Sequence, residues 1–375
     1  MQVEENITRL YYIQKAFLLF IENDDLAEEN YQNLTTLLTE FKIGENQHDL
    51  ELFLYLLLTI ANNHHRSLNF FEKIFQILIL FKNQMKNFFT SFRIFNIFKS
   101  NKRILLFLIK EEVIIVDKSI VYILFNRKYN DRNYIYYFYP EIKSFLDEKE
   151  IKKIENEDIS DLETKRNNEF NEDPVYNYIK NDIIEDFIIY VNKTNLLLNS
   201  IINCSFYETN LFVLKNKLTL IEYAAFFGSL QILKYLHLNR IEITQNTWIA
   251  AIHSQNPELI RYLEENEKIH EDPAFMKILI DEAIKCHHND IKDYFQNYYV
   301  NNEDEIKPFS IFCQSLKYYN YAYLRKDMIN KNAFANFCKY NYYTFAQLVL
   351  ENSTFDINQI FQLIFSIILQ YINFK

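Results

Sequence analysis

The most restrictive feature of this 375-residue sequence is its glycine content. Only two glycines occur, Gly44 and Gly228, and 184 positions separate them. A phosphate-binding Walker loop needs two glycines within about six residues, and a dinucleotide-binding fingerprint begins with G-x-G. Both motifs are therefore excluded, and the lack of any Asn-Gly or Asp-Gly pair disfavours a fold rich in tight β-hairpins. The sequence predicts a mainly helical protein.

Hydrophobic periodicity places several helices near the start of the chain. Apolar residues recur at helical spacing and polar clusters separate the runs. The predicted helices cover residues 3–22, 26–41, 48–61 and 68–82. Because the connections between them are short, neighbouring helices should run antiparallel.

A charged stretch interrupts the helical pattern in the middle of the chain. Residues 147–173 carry 11 acidic and 5 basic side chains, which is typical of an exposed helix or a linker. The expected organisation is a helical N-terminal region with degenerate repeats (1–146), a charged linker or exposed helix (147–174) and a repeat region (175–375).

A helix–turn–helix pattern recurs in that last region, and its clearest copy covers residues 219–236. Capping or small side chains define its frame at Thr219, Glu222, Ala224, Ala225 and Gly228. Thr219 and Glu222 have the spacing of a capping box, and Gly228 suits a left-handed helix end. Later copies place Ala251 and Ala283 at the position of Ala224. Weaker copies cover 97–108 and end at 323–324 and 348–349.

At these residues the sequence resembles the ankyrin repeat. Thr219 to Gly228 follows the pattern T-P-L-H-x-A-A-x-x-G, with Leu220 replacing Pro and Glu222 replacing His. Further phrases resemble a divergent ankyrin-like family, a domain of unknown function expanded in parasitic protists: residues 62–66, 94–108, 221–228 and 284–290. The resemblance implies an all-α, ankyrin-like helical solenoid of stacked helix-turn-helix repeats.

The same resemblance implies a non-catalytic scaffold or adaptor that binds a partner protein on the concave face of the solenoid. In ankyrin repeats, the two variable positions after the alanine pair lie on or near that face. The matching residues are the candidate partner-binding residues: Phe226, Phe227, His253 and Lys285. Stacked repeats bury one continuous core and leave such a face open to partners.

The segment 73–110 supports an alternative function. It contains eight basic residues, no acidic residue and eight phenylalanines, a combination that can bind single-stranded nucleic acid or an acidic membrane. In the other interpretation, the phenylalanines are core residues and the acidic stretch 1–72 neutralises the cations. The net charge of −10 disfavours general nucleic-acid binding.

No enzyme activity, cofactor or metal is predicted. His64-His65 and Cys286-His287-His288 lack the paired spacing of a zinc site, and adjacent histidines on a helix diverge by about 100°. The second group is predicted to form a helix-capping turn. Cys286 as a nucleophile would lack a glycine-rich oxyanion hole. Four cysteines without a C-x-x-C motif, and an acidic start without a signal peptide, indicate a cytoplasmic protein.

The segment 357–374 is strongly apolar, interrupted only by amides and one serine. Amide side chains disfavour a membrane span. We expect this segment to form a helix that docks on the preceding pair and leaves an apolar strip exposed, through which the chain self-associates.

Overall fold

The computed structural model describes residues 2–67, 69–125, 132–155, 161–167, 173–267, 272–299 and 307–352. Within these ranges the chain is helical, and its only bridge of β type joins Ile201 to Thr219. The predicted all-α class is therefore confirmed for the described residues. None of their helices is both long enough and apolar enough to cross a membrane.

The chain divides into two compact units. The first unit comprises residues 1–61, 66–88 and 300–375, and the second comprises 62–65 and 89–299. This division differs from the expected one, because the first unit brings N-terminal and C-terminal segments together. The charged segment 147–174 lies inside the second unit.

The first unit contains the four predicted N-terminal helices, which are confirmed, a short fifth helix that follows them, and three helices from the C-terminal part. They are α1 (Gln2–Glu22), α2 (Ala27–Glu40), α3 (Gln47–Asn63, which continues into the second unit), α4 (Phe70–Leu80), α5 (Lys82–Phe88), α22 (Pro308–Lys317), α23 (Phe334–Lys339) and α24 (Tyr343–Asn352). The helix α1 packs on α2 and α4.

The second unit contains α6 to α21. They are α6 (Ser91–Phe98), α7 (Lys102–Lys110), α8 (Lys118–Phe125), α9 (Arg132–Tyr137), α10 (Tyr139–Ile142), α11 (Glu148–Glu155), α12 (Leu162–Asn167), α13 (Val175–Lys180), α14 (Ile184–Thr194), α15 (Leu211–Lys215), α16 (Leu220–Phe227), α17 (Leu230–Leu238), α18 (Gln245–Ser254), α19 (Pro257–Asn266), α20 (Pro273–Cys286) and α21 (Asn289–Tyr299).

The described part of the charged segment contains the helices α11 and α12, whose charged side chains are mostly exposed, and each helix has one buried residue. Ile154 of α11 is buried in a small cluster with Tyr136 and Tyr139. The buried guanidinium of Arg166 in α12 donates to both carboxylate oxygens of Glu141 at 2.9 Å. Ile154 thus anchors α11 through apolar packing, and Arg166 anchors α12 through its ion pair with Glu141.

The predicted frame of the clearest copy is confirmed. Thr219 and Glu222 form the capping box that starts α16, and Gly228 ends the helix in the left-handed conformation with φ 74°. Other helix pairs of the second unit have a non-glycine residue in the same conformation, namely Asp182, Gln255 and His287. The helix-capping turn predicted at His287-His288 is therefore confirmed.

Hydrogen bonds from equivalent donor positions link successive turns. The residue after the left-handed position bonds to a carbonyl of the preceding copy, through Ser229 Oγ to Ile179 O (2.5 Å), Asn256 Nδ2 to Gly228 O (3.0 Å) and His288 Nδ1 to Ile252 O (2.8 Å). The carboxylate of Asp182 also accepts from the amides of Gln231 and Ile232, at 3.0 Å each, and so caps α17. These bonds fix how one helix pair follows another.

The first helices of these pairs pack side by side. The helix α13 contacts α16, α16 contacts α18, and α18 contacts α20. The small residues of the frame have no exposed surface: Ala224, Ala225, Ala251 and Ala283. Each of these helices is therefore close to its neighbour where the alanines lie.

The weaker copies have mixed outcomes. The copy ending at 348–349 is a helix pair, α23 and α24, with Asn341 left-handed between them at φ 62°. The prediction for the copy ending at 323–324 is wrong in its second half, because a 3-10 turn at Tyr321–Tyr323 replaces the second helix. The segment 357–374 lies outside the described residues, so its self-association stays a prediction.

Candidate functional site

The four predicted partner-binding residues come together at the C-terminal ends of α16, α18 and α20. Phe226 and Phe227 pack ring against ring, with centroids 5.0 Å apart, and Phe226 lies 5.3 Å from the ring of His253. Lys285 reaches the same group through Phe212 of α15, whose ring centroid is 5.9 Å from the Lys285 ammonium. The repeat frame thus identified residues that share one site.

Phe212 covers much of this site, and the sequence analysis did not find it. Its ring stacks on Phe226 at 5.3 Å and lies 4.2 Å from His253. Phe226 is only 7% exposed and His253 only 3%. Phe227 and Lys285 are partly exposed, so they are the predicted members that a partner can reach directly.

The loop that carries Phe212 has its two ends joined. Ile202 N donates to Leu218 O at 2.7 Å, and Leu220 N donates to Ser200 O at 3.1 Å. Within the loop, the ammonium of the buried Lys102 donates to the carbonyls of Phe206 and Glu208, at 3.1 and 2.9 Å. These bonds hold the loop, with its helix α15, against the ends of the first helices.

A polar cluster lies beneath Phe212. The Nε2 atom of His253 is 2.7 Å from a carboxylate oxygen of Glu282, and the Lys285 ammonium donates to that oxygen at 2.7 Å. Burial alone would raise the pKa of Glu282. Hydrogen bonds and positive charges from His253 and Lys285 outweigh this effect of burial and lower the pKa to about 2. Burial lowers the pKa of His253, and Glu282 opposes this shift. The cluster is a charge-assisted network around one carboxylate.

Cys286 brings a thiol to the same cluster, and three potential metal ligands then lie within 4.8 Å of one another: His253, Glu282 and Cys286. The sulfur is nearly equidistant from the two ring nitrogens of His253, at 3.5 and 3.7 Å. Their lone pairs diverge, so the sulfur lies on neither nitrogen's metal-binding axis. The ammonium of Lys285 also occupies the Glu282 carboxylate. This geometry favours a hydrogen-bonded cluster over a metal centre.

The thiol of Cys286 is also a poor nucleophile. Burial raises its pKa well above the ordinary value, and the Glu282 charge adds to that shift. A buried thiol whose pKa is raised is a weak nucleophile, because the thiolate is the reactive form.

Two histidine motifs distant in sequence meet beside this cluster. His64 Nδ1 donates to Cys286 O at 2.8 Å, and the rings of His64 and His288 are 4.8 Å apart, edge to face. Asn63 O lies 3.2 Å from His253 Nδ1. The turn after α3 is thus bonded to the ends of α18 and α20.

Acid should weaken the fold through His288. Burial, reinforced by the charges of neighbouring histidines including His64, lowers its pKa well below 6.5. The unfolded chain therefore binds a proton at this histidine more readily than the folded chain. The stability that neutral His288 contributes to the fold is present above about pH 6.5 and is lost as the pH falls. We expect a loss of about 1 kcal/mol in unfolding free energy between pH 7.5 and 5.5 from this group.

The variant His288→Ser provides the comparison. Serine occupies the equivalent position at Ser229, where its hydroxyl makes the matching bond to the preceding copy. Urea titrations followed by fluorescence of Trp248, a single buried tryptophan in α18, should show a shallower loss on acidification in the variant. Parallel pH profiles for variant and parent would refute the role of His288.

The basic aromatic segment 73–110 is divided between the two units. Among its eight phenylalanines only Phe92 is exposed, and four are buried: Phe81, Phe89, Phe95 and Phe98. Lys73 pairs with Asp24 at 2.6 Å, and Lys110 pairs with Glu163 at 2.7 Å. Seven of the eight rings are therefore at least partly buried, and Lys73 and Lys110 form ion pairs.

Searches of protein-family models, curated proteins and solved structures found no match to this chain. The resemblance to ankyrin repeats therefore stays a prediction, and the functional interpretation depends on the geometry of the chain itself.

Proposed function

We propose that this chain is a non-catalytic protein-interaction scaffold built on stacked, ankyrin-like helix pairs. The observation that carries the proposal is the recurrence of one turn geometry at Asp182, Gly228, Gln255 and His287, with hydrogen bonds from each pair to the next. Repeated helix pairs present equivalent positions along one surface, and such surfaces are widely used to bind proteins.

The partner surface would centre on the exposed parts of Phe227, Phe212 and Lys285. The ammonium of Lys180 lies 5.7 Å from the centre of the Phe227 ring, so this ring has a cation on one side. Aromatic side chains fixed by their neighbours are effective anchors because they lose little entropy on binding. Phe226 and His253 would support these anchors from below.

A non-catalytic role agrees with the chemistry of the cluster beneath this surface. The thiol of Cys286 is buried, which raises its pKa, and the Glu282 carboxylate is held by His253 and Lys285. Among the described residues, this is the group that most resembles a reactive centre, and its members stabilise one another.

Affinity capture with matched variants tests the proposal. The full chain and a Phe227→Ala, Lys285→Ala double variant would be used as bait, followed by mass spectrometry and binding measurements on each recovered protein. We expect at least one protein to bind the parent chain and to lose about tenfold or more in affinity for the double variant, because two central contacts are removed.

The variant Lys193→Ala is the matched control, since it removes an exposed lysine of α14. Its affinity should equal that of the parent chain. If every recovered protein binds the double variant as tightly as the parent, this surface is not the partner site.

A further inference from the structure

A groove runs between the second helices of two successive pairs, α19 and α21. Its volume is about 360 Å³, in the range of sites that accept a ligand or a partner's side chain. Ile260 and Ile291, both nearly buried, form its apolar floor. Polar side chains surround this floor: Gln255, Arg261, Glu264, Asp290 and Tyr294.

The two helices that form the groove are acidic. Together they carry five acidic and two basic residues, which gives a net charge of −3. Both cations are engaged locally, Arg261 with Glu265 at 2.9 Å and Lys292 with Asp293 at 3.0 Å. The remaining carboxylates, on Glu258, Glu264 and Asp290, make the groove attractive to a positive charge.

Tyr294 lines the groove near Glu264, and two further tyrosines of α21 lie beside it. The Glu264 carboxylate accepts hydrogen bonds from Tyr294 at 3.2 Å and Tyr299 at 2.8 Å, which fix its orientation. Tyr298 is 71% exposed and packs on Tyr294 with ring centroids 4.8 Å apart. The faces of such rings attract cations, so rings and carboxylates favour the same kind of ligand.

We propose that this groove binds a basic segment of a partner protein by taking one arginine or lysine side chain. The aliphatic stem would lie on Ile260 and Ile291, and the charged head would meet Asp290 and Glu264. Long cationic side chains commonly combine an apolar stem with a solvated or paired head. This site is separate from the surface around Phe227, and its failure would leave that proposal untouched.

Fluorescence anisotropy with a defined peptide tests this site on the full chain. The probe is a labelled nonapeptide with two arginines and two leucines among glycines and serines, and its twin carries citrulline in place of arginine. We expect saturable binding of the arginine peptide, weakened by salt, and at least about fivefold weaker binding of the citrulline peptide.

Three variants locate the binding. Asp290→Asn should weaken the arginine peptide about threefold or more, and Arg261→Gln should tighten it by removing a competing cation. Glu185→Gln, which neutralises an exposed acid of α14, should leave the affinity unchanged. Thermal unfolding confirms that each variant is folded.

Several results would overturn the proposal. These are the absence of saturable binding, equal binding of the citrulline peptide, and an unchanged affinity in Asp290→Asn. Equal weakening by Glu185→Gln and Asp290→Asn would show attraction to the acidic protein as a whole instead of a site in this groove.

Discussion

Replacing Gly228 by valine should lower the unfolding free energy of the second unit by about 2–4 kcal/mol. Gly228 has φ 74°, a region that β-branched residues avoid. A Cβ atom there would also lie 3.3 Å from Ser254 Cβ and 3.4 Å from Asn256 Cβ, so the side chain would meet the next turn. Urea titration followed by Trp248 fluorescence measures the effect.

Gly228→Asn separates the two causes. Asparagine tolerates the left-handed conformation better than valine, and Asn256 shows that an amide can bridge neighbouring turns. We expect this variant to lose about 1 kcal/mol, well below the loss for valine. Equal losses in the two variants would mean that backbone strain is not the main effect.

The second large effect is expected at Ala251. It has no exposed surface, and its helix α18 packs against α16 on one side and α20 on the other. Leucine adds three carbon atoms to this closed contact, so Ala251→Leu should lose about 2–3 kcal/mol through overpacking. Ala224→Leu, at the equivalent position of α16, should show a similar loss.

Ala274→Leu serves as the matched control for these substitutions. It makes the same chemical change at an exposed position of α20, where unfolding free energy should change by about 0.5 kcal/mol at most. If Ala251→Leu changes stability no more than Ala274→Leu, the helices are not in close contact at the alanines.

Features set by neighbouring residues could be predicted from the sequence. The capping box at Thr219 and the left-handed end at Gly228 depend on side chains within one turn of the backbone, so the residue types report them directly. The N-terminal helices were also found, because their apolar spacing extends over many residues. The anchoring of the charged segment by Ile154 and Arg166 was not predicted, because solvated charges surround these two residues in the sequence.

Long-range contacts could not be predicted in this way. Phe212 contacts the site because backbone hydrogen bonds join the ends of the loop that carries it. No sequence pattern near Phe212 predicts that contact. The joining of the chain ends in the first unit depends on pairs such as Gln14 and Asn320, bonded at 2.9 Å. Sequence spacing carries no information about partners more than 300 positions away.

The sequence therefore grouped the candidate residues but did not describe their surroundings. Phe226, His253 and Lys285 occupy equivalent positions of the predicted frame, and their side chains lie close together in the structure. Their accessibility depends on Phe212 and Glu282, which lie outside the pattern used to choose them. The turns also show that a shared conformation does not require a shared residue type. Gln255 and His287 adopt the left-handed conformation of Gly228 although they are not glycine.

The equivalence of those turns is tested most directly by Gln255→Gly. Gln255 is held at φ 53°, where glycine removes the strain of a Cβ atom, so the unfolding free energy from the Trp248 titration should rise by about 0.5–1 kcal/mol. If Gln255 instead lies inside a continuous helix, the same substitution should lower it by about 1 kcal/mol, as for glycine at an ordinary helical position. A rise supports the repeated turn on which the stacked helix pairs depend, and a fall contradicts it.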